Sequence, residues 1–207
     1  MNKKLDDMLQ IYTKNLEKEP QNAVLLYNIG LIKFLKKEYE EATKHLQKAL
    51  EFGFEGDYAQ LGSMFYQMNE LPSAQKAYEK ALLKDSGEEN IYVCLYEIYK
   101  KINDEKNLIK TLKNGAKNVK NASKMHKFLG NFYFDKKDYE NALIEYKNIE
   151  EKSTDIFLSI ANSYVMLDDI KSALQNYKKA YESAPQNATI MNLYNDALNE
   201  FFRRKND

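Results

Sequence analysis

The chain has 207 residues, enough to bury a sizeable core, and its 31 Lys and Arg residues balance its 31 Asp and Glu residues. A formal net charge of zero provides no global attraction to nucleic acid or to an anionic membrane, so a nucleic-acid partner is not expected. Only 7 Gly and 3 Pro are present, beside 43% apolar and 30% charged residues, and this composition predicts an all-α protein.

The single cysteine and the lack of long apolar runs bear on the location of the chain. Cys94 has no second cysteine with which to form an intramolecular disulfide. The first residues contain no apolar signal segment, and no apolar run approaches the length of about 18 residues that a membrane span requires. These features predict a cytoplasmic protein that does not insert into a membrane.

Residues 1–20 form the first predicted element, and they end at Pro20. Their apolar side chains recur at helical spacing and are Leu5, Met8, Ile11, Tyr12 and Leu16. This pattern predicts an N-terminal helix over residues 3–17, which would shield the element that follows.

Small or apolar residues then recur with a period near 34 residues. They are Ala42, Ala74, Leu108, Ala142 and Ala173, separated by 32, 34, 34 and 31 residues. Such a period is typical of a helix-turn-helix repeat that buries its apolar face only by stacking on its neighbours. The predicted repeats cover residues 22–54, 55–86, 88–120, 122–151 and 153–185.

The third repeat departs from the pattern of the others, and a last helix follows the fifth. Tyr96 and Leu108 stand where the other repeats have Gly or Ala, so the helices are expected to pack most loosely there. The apolar pattern of residues 187–204 predicts a final capping helix, whose apolar side includes Phe201 and Phe202.

The fifth repeat shows the pattern most completely, with Ile160, Ala161, Tyr164, Ala173, Tyr177, Ala180 and Pro185. With these residues the chain resembles the tetratricopeptide repeat (TPR) family over nearly all of its length. The resemblance implies a single TPR-like domain over residues 1–207. Its expected fold is a right-handed α-α superhelix of about five helical hairpins with N- and C-terminal capping helices.

No motif in the sequence indicates catalysis or a cofactor. The two histidines, His45 and His126, and the lone Cys94 fall at unrelated positions in their repeats, so a metal site or a Cys-His pair is not expected. The chain is therefore predicted not to be an enzyme and to need no cofactor or metal.

The resemblance implies that the first helix of each hairpin lines a concave groove that binds a peptide or an amphipathic helix of a partner protein. The side chains expected there are Tyr27, Leu31, Phe34 and Tyr66 in the apolar N-terminal half, and Lys124, Lys127, Asn131 and Asn162 in the polar half. The apolar set has an alternative interpretation, in which the N-terminal helix or the curvature of the stack buries it.

The sequence leaves three further functions open. Phe201 and Phe202 could drive self-association. The chain is accordingly expected to be a monomer or a weak homo-oligomer. Binding of a chaperone C-terminal tail is less favoured, because only Lys127 and Asn131 match a five-residue carboxylate clamp. RNA binding is disfavoured by the zero net charge.

Overall fold

The structure is a computed structural model that describes residues 2–206. Within that range all regular secondary structure is α-helical, in twelve helices. They are α1 (Asn2–Lys18), α2 (Ala23–Leu35), α3 (Tyr39–Glu51), α4 (Tyr58–Gln67), α5 (Leu71–Lys84), α6 (Glu89–Lys101), α7 (Glu105–Asn118), α8 (Ser123–Asp135), α9 (Tyr139–Lys147), α10 (Thr154–Met166), α11 (Ile170–Ser183) and α12 (Ala188–Asn206). The expectation of an all-helical fold is confirmed.

The helices form two compact units, one ending at Asn103 and the next beginning at Asp104. In the first unit α2 pairs with α3 and α4 pairs with α5, while α1 packs on α2 and α6 packs on α5. In the second unit α8 pairs with α9 and α10 pairs with α11, while α7 packs on α8 and α12 packs on α11. The boundary falls inside the third predicted repeat, and the single-domain assignment over residues 1–207 stays a prediction.

A residue with positive φ follows α2, α4, α6, α8 and α10. These residues are Lys37, Asn69, Asn103, Lys137 and Asp168, with φ of 62°, 60°, 55°, 62° and 62°. After four of these helices, the next backbone N–H donates to a carbonyl in the last turn of the helix, as from Asp138 N to Tyr133 O at 2.9 Å. This left-handed ending satisfies carbonyls that the helix itself leaves unpaired.

Side-chain caps fix where many of the helices begin. The Asn22 side chain accepts hydrogen bonds from the backbone N–H groups of Val24 and Leu25 at 3.1 and 3.0 Å. Asp57, Asp138 and other aspartates accept one from the N–H three residues on. Each such bond satisfies an N–H that has no partner inside the helix.

Glycines allow the closest approach of paired helices. A Cβ added to Gly130 would lie 2.4 Å from Tyr146 Cε1, and one added to Gly30 would lie 2.6 Å from Leu46 Cγ. Both distances are shorter than carbon atoms in contact adopt, so a methyl group at either glycine requires its neighbours to shift. In α10 the same repeat position holds Ala161, which is fully buried, so that hairpin has accommodated the methyl group.

Candidate functional site

Tyr27 lies in the core of the first unit. Its ring is only 9% exposed and stacks on Phe54 with ring centroids 4.3 Å apart. Its hydroxyl donates to Gln60 Oε1 at 2.5 Å, which connects α2 to α4. Burial raises the pKa of the Tyr27 hydroxyl, and the nearby Asp57 carboxylate raises it further. Tyr27 is therefore a core residue, and little of its side chain is exposed for the predicted partner-binding groove.

The other three apolar residues of the predicted groove are half-buried. Leu31 and Phe34 lie on α2 and Tyr66 lies on α4, and each keeps part of its side chain exposed. Phe34 contacts Tyr39 with ring centroids 5.8 Å apart. The Lys101 ammonium lies 4.3 Å from the centre of the Tyr66 ring. We call Leu31, Phe34 and Tyr66 the apolar surface of the first unit.

Asn131 and Asn162 occupy equivalent places in successive hairpins of the second unit. Both are exposed, and each carboxamide oxygen accepts a hydrogen bond from a tyrosine hydroxyl on the second helix of its own hairpin. Tyr146 donates to Asn131 at 2.8 Å and Tyr177 donates to Asn162 at 2.6 Å. Since the oxygen is engaged inside the hairpin and the residue is exposed, each amide retains its NH₂ group as a donor for a ligand. We call these two residues the carboxamide surface.

The tyrosines that hold the carboxamide surface are core residues. Tyr146 is 2% exposed and Tyr177 is 5% exposed, so their hydroxyls need partners. Burial raises the pKa of Tyr146 to about 12, and burial also raises the pKa of Tyr177. Both hydroxyls therefore remain protonated donors at neutral pH.

The two predicted lysines lie on α8 with Asn131. Lys124 is exposed and lies in the first turn of the helix, and Lys127 is half-buried one turn later. Lys127 and Asn131, the two residues that match the carboxylate clamp, lie one turn apart on the same helix, at i and i+4.

The last helix presents Phe201 and Phe202 differently. Phe202 is 52% exposed, whereas Phe201 is half-buried and lines a cavity of about 300 Å³ with the turn before α11. Arg204 donates to Asp168 Oδ1 and to Glu200 Oε1, both at 2.7 Å. The Arg204–Asp168 ion pair joins the end of α12 to the turn between α10 and α11, and the Arg204–Glu200 pair lies within α12.

Residues of catalytic type are engaged in local contacts. His45 Nδ1 lies 2.8 Å from the Glu41 carbonyl oxygen, and His126 Nδ1 lies 2.8 Å from Glu145 Oε2. The hydroxyl of Tyr78 contacts Cys94 and Ser63, and burial is the main cause that raises the pKa of that tyrosine. Within residues 2–206 no group of three or more His, Cys, Asp or Glu side chains is arranged to hold a metal ion.

The model of the tetratricopeptide repeat family matches residues 30–204. The chain belongs to the tetratricopeptide repeat family. Its match begins inside α2 and runs to the last turns of α12, so it includes both units. No curated protein sequence gave a significant match.

Solved TPR structures share the helical arrangement at low sequence identity. YrrB, described as a TPR protein with an unusual peptide-binding site, is 19% identical with a TM-score of 0.60, and the match covers 87% of this chain and 96% of YrrB. MamA is 18% identical with a TM-score of 0.61, over 82% of this chain and 96% of MamA. A chain of the Naa15/Naa10 complex bound to HypK-THB is 14% identical with a TM-score of 0.74, over 95% of this chain and 32% of that chain. At these identities the likeness shows the fold.

Two features of the site were missed by reasoning from the sequence. The Tyr27 side chain is buried because Phe54, at the end of its repeat, closes over it, and this contact joins residues 27 positions apart. The tyrosine-to-asparagine hydrogen bonds were also missed. The signal was available, since Tyr146 follows Asn131 and Tyr177 follows Asn162 by the same 15 residues.

Proposed function

We propose that this TPR protein is a non-catalytic scaffold that binds a peptide or an amphipathic helix of a partner protein on the first helices of its hairpins. The TPR fold is a framework for protein–protein interaction, and the family is generally non-catalytic. The finer assignment of surface and ligand is the proposal made here. A cytoplasmic location remains a prediction.

The observation that carries the proposal is the carboxamide surface. Asn131 and Asn162 repeat the same geometry in two hairpins, and their NH₂ groups are held in place by buried tyrosine hydroxyls. Such N–H donors suit the carbonyl groups of a peptide backbone. Because the tyrosines fix the amides before binding, little side-chain entropy would be lost on association.

The apolar surface of the first unit supports the same function. Leu31, Phe34 and Tyr66 are half-buried, so each has a fixed base and an exposed part that can contact an apolar side chain of a partner. Anchors of this kind contribute most of the affinity in helix-in-groove recognition. The Lys101 ammonium above the Tyr66 ring adds a positive charge beside them.

Binding of a chaperone tail receives less support from the same residues. Lys127 and Asn131 are the matching pair, but Thr189 and Leu193 on α12 replace the cations that would grip a carboxylate. An ordinary backbone segment fits this surface better than a terminal carboxylate does.

The test is affinity capture from the native cell with the wild type and with an Asn131→Asp plus Asn162→Asp variant, followed by quantitative mass spectrometry. Asp keeps an acceptor for each tyrosine hydroxyl but removes the N–H donors. We expect recovery of the partner to fall by about tenfold or more, the scale of a few kcal/mol at an interface. Asn192→Asp, on an exposed part of α12, is the matched control. Equal recovery by all three proteins would refute the assignment.

Self-association through α12 is a second candidate, favoured by the exposure of Phe202. Its ring is 52% exposed beside Phe201, with ring centroids 5.7 Å apart, and Met191 on the same helix is 40% exposed. Exposed aromatic and Met side chains are enriched at protein interfaces.

Sedimentation velocity over a range of concentrations tests the second candidate. If α12 associates, the wild type will show a concentration-dependent sedimentation coefficient, and Phe202→Ser will show that of a monomer. Phe202 suits this test because its ring is exposed, so its removal should leave the fold intact. A wild type that stays monomeric at every concentration would eliminate this candidate.

A further inference from the structure

Four lysines lie in one row along α7. They are Lys106, Lys110, Lys113 and Lys117, all of them exposed. At about 100° per residue they fall within a sector of about 60°, opposite the side that buries Leu108, Leu112 and Gly115. With the ordinary rise of 1.5 Å per residue, the row is about 16 Å long. We call it the lysine stripe.

The lysine stripe contains no acidic residue that would balance it. Each lysine has another lysine three or four positions away, and no acidic residue stands at such a spacing from any of them. Like charges at these spacings destabilise a helix. Among the described residues none of the four forms an ion pair, although Lys106 contributes to lowering the pKa of Asp104.

Two other second helices, α3 and α11, carry lysines that are paired with acidic residues. Lys44 in α3 pairs with Glu40 and Glu41, at 3.0 and 3.2 Å, and Lys178 in α11 pairs with Glu182 at 3.7 Å. The second helix α5 carries a shorter row of three lysines, Lys76, Lys80 and Lys84, two of which lie over the Tyr58 ring, so the row of four is specific to α7. A local arrangement that lowers stability without compensation is expected where a residue set serves a function.

We propose that the lysine stripe binds an acidic segment of a partner protein, on a surface separate from the first-helix surfaces described above. A helix with Glu or Asp at i, i+4, i+7 and i+11 has the same axial spacing as the four lysines, so each carboxylate can meet one ammonium. Binding relieves the repulsion within α7 and adds ion pairs.

The chemistry of α7 favours an acidic protein segment over nucleic acid or lipid. The helix contains no aromatic residue on which a base could stack and no Arg to form bidentate contacts with phosphate. Its apolar side is buried, with no large exposed apolar side chain that could enter a bilayer. Asp104 and Glu105 at one end of the stripe limit the length of polyanion that it can follow.

The experiment measures binding of a labelled helical peptide with Glu at the i, i+4, i+7 and i+11 positions, by fluorescence anisotropy, to the full chain. A peptide with Gln at those positions is the control ligand. Lys113→Glu is the decisive variant, because it places an acid between Lys110 and Lys117. Lys76→Glu, at an exposed lysine of α5, is the matched control.

The expected result is binding of the Glu peptide that weakens with salt, is lost with the Gln peptide and falls by about tenfold in Lys113→Glu. Lys113→Glu should also raise the melting temperature, since it turns repulsion into attraction within α7. Undiminished binding by Lys113→Glu, or no binding by the wild type, would overturn the proposal. So would tighter binding of duplex DNA, of single-stranded RNA or of phosphatidylserine vesicles than of the Glu peptide.

Discussion

At the glycine positions the paired helices lie so close that there is no room for even one added carbon atom. Gly62 and Gly130 each face a buried tyrosine ring, at 2.8 and 2.4 Å from the site of an added Cβ. Those rings are also the ones that reach the first helix with their hydroxyls, as Tyr146 does to Asn131. A change at Gly130 therefore alters both the packing and the carboxamide surface.

Gly130→Ala is expected to lower the free energy of unfolding by about 1–3 kcal/mol, the usual cost of overpacking a tight core, although Ala favours helix formation. Chemical denaturation measures the change. Gly87→Ala is the control, because its added Cβ would meet only the Asp85 carboxylate oxygen, at 3.3 Å, and it should alter stability by less than about 0.5 kcal/mol. A Gly130→Ala protein as stable as the wild type would show that α8 and α9 separate freely.

The helices themselves follow largely from local chemistry. Asn22 and Asn187 stand directly before helices, and both accept hydrogen bonds from the first-turn N–H groups, as asparagine at this position commonly does. The left-handed residues at the ends of the first helices could not be found in the same way. Lys37 and Lys137 adopt this conformation without the usual signal of Gly or Asn.

Stabilisation of the end of α12, both within the helix and toward Asp168, depends on charge and therefore on pH. Hydrogen bonds from Arg203 and Arg204 lower the pKa of Glu200 from 4.5 to about 2, and the Arg204 guanidinium also lowers the pKa of Asp168. Because the folded-state pKa lies below the unfolded one, the stabilisation is complete above pH 4.5 and is lost as pH falls toward 2.

Glu200→Gln should lower the melting temperature at neutral pH, with a difference from the wild type that disappears as the pH approaches the folded-state pKa. Thermal unfolding followed by circular dichroism at several pH values measures this. Asp168→Asn should also lower the melting temperature at neutral pH. Asn tolerates the φ of 62° at this position, so the substitution tests the charge alone. A difference that is the same at acidic and neutral pH would show that the ion pairs do not hold α12.

For the whole chain, the composition predicted the all-helical fold and the repeated residues carried the family resemblance, since most of the hairpins repeat similar small and aromatic residues at a similar spacing. The site was predicted less completely. Asn131 and Asn162 could be placed by repeat position, but the burial of Tyr27 depends on Phe54 from the far end of the repeat. The lysine stripe lies on a second helix, whereas the resemblance to the family predicts binding residues on the first helices.

The central claim is that partner proteins bind on the first helices of the hairpins, and site-specific photo-crosslinking tests it most directly. A photoreactive residue replaces Leu31 on α2 or Asn162 on α10 in one set of proteins, and Leu83 on α5, which is 87% exposed, in the control. We predict that the same partner crosslinks at the first-helix positions and not at residue 83. Crosslinks to that partner only from residue 83, or equally from all three positions, would contradict the account.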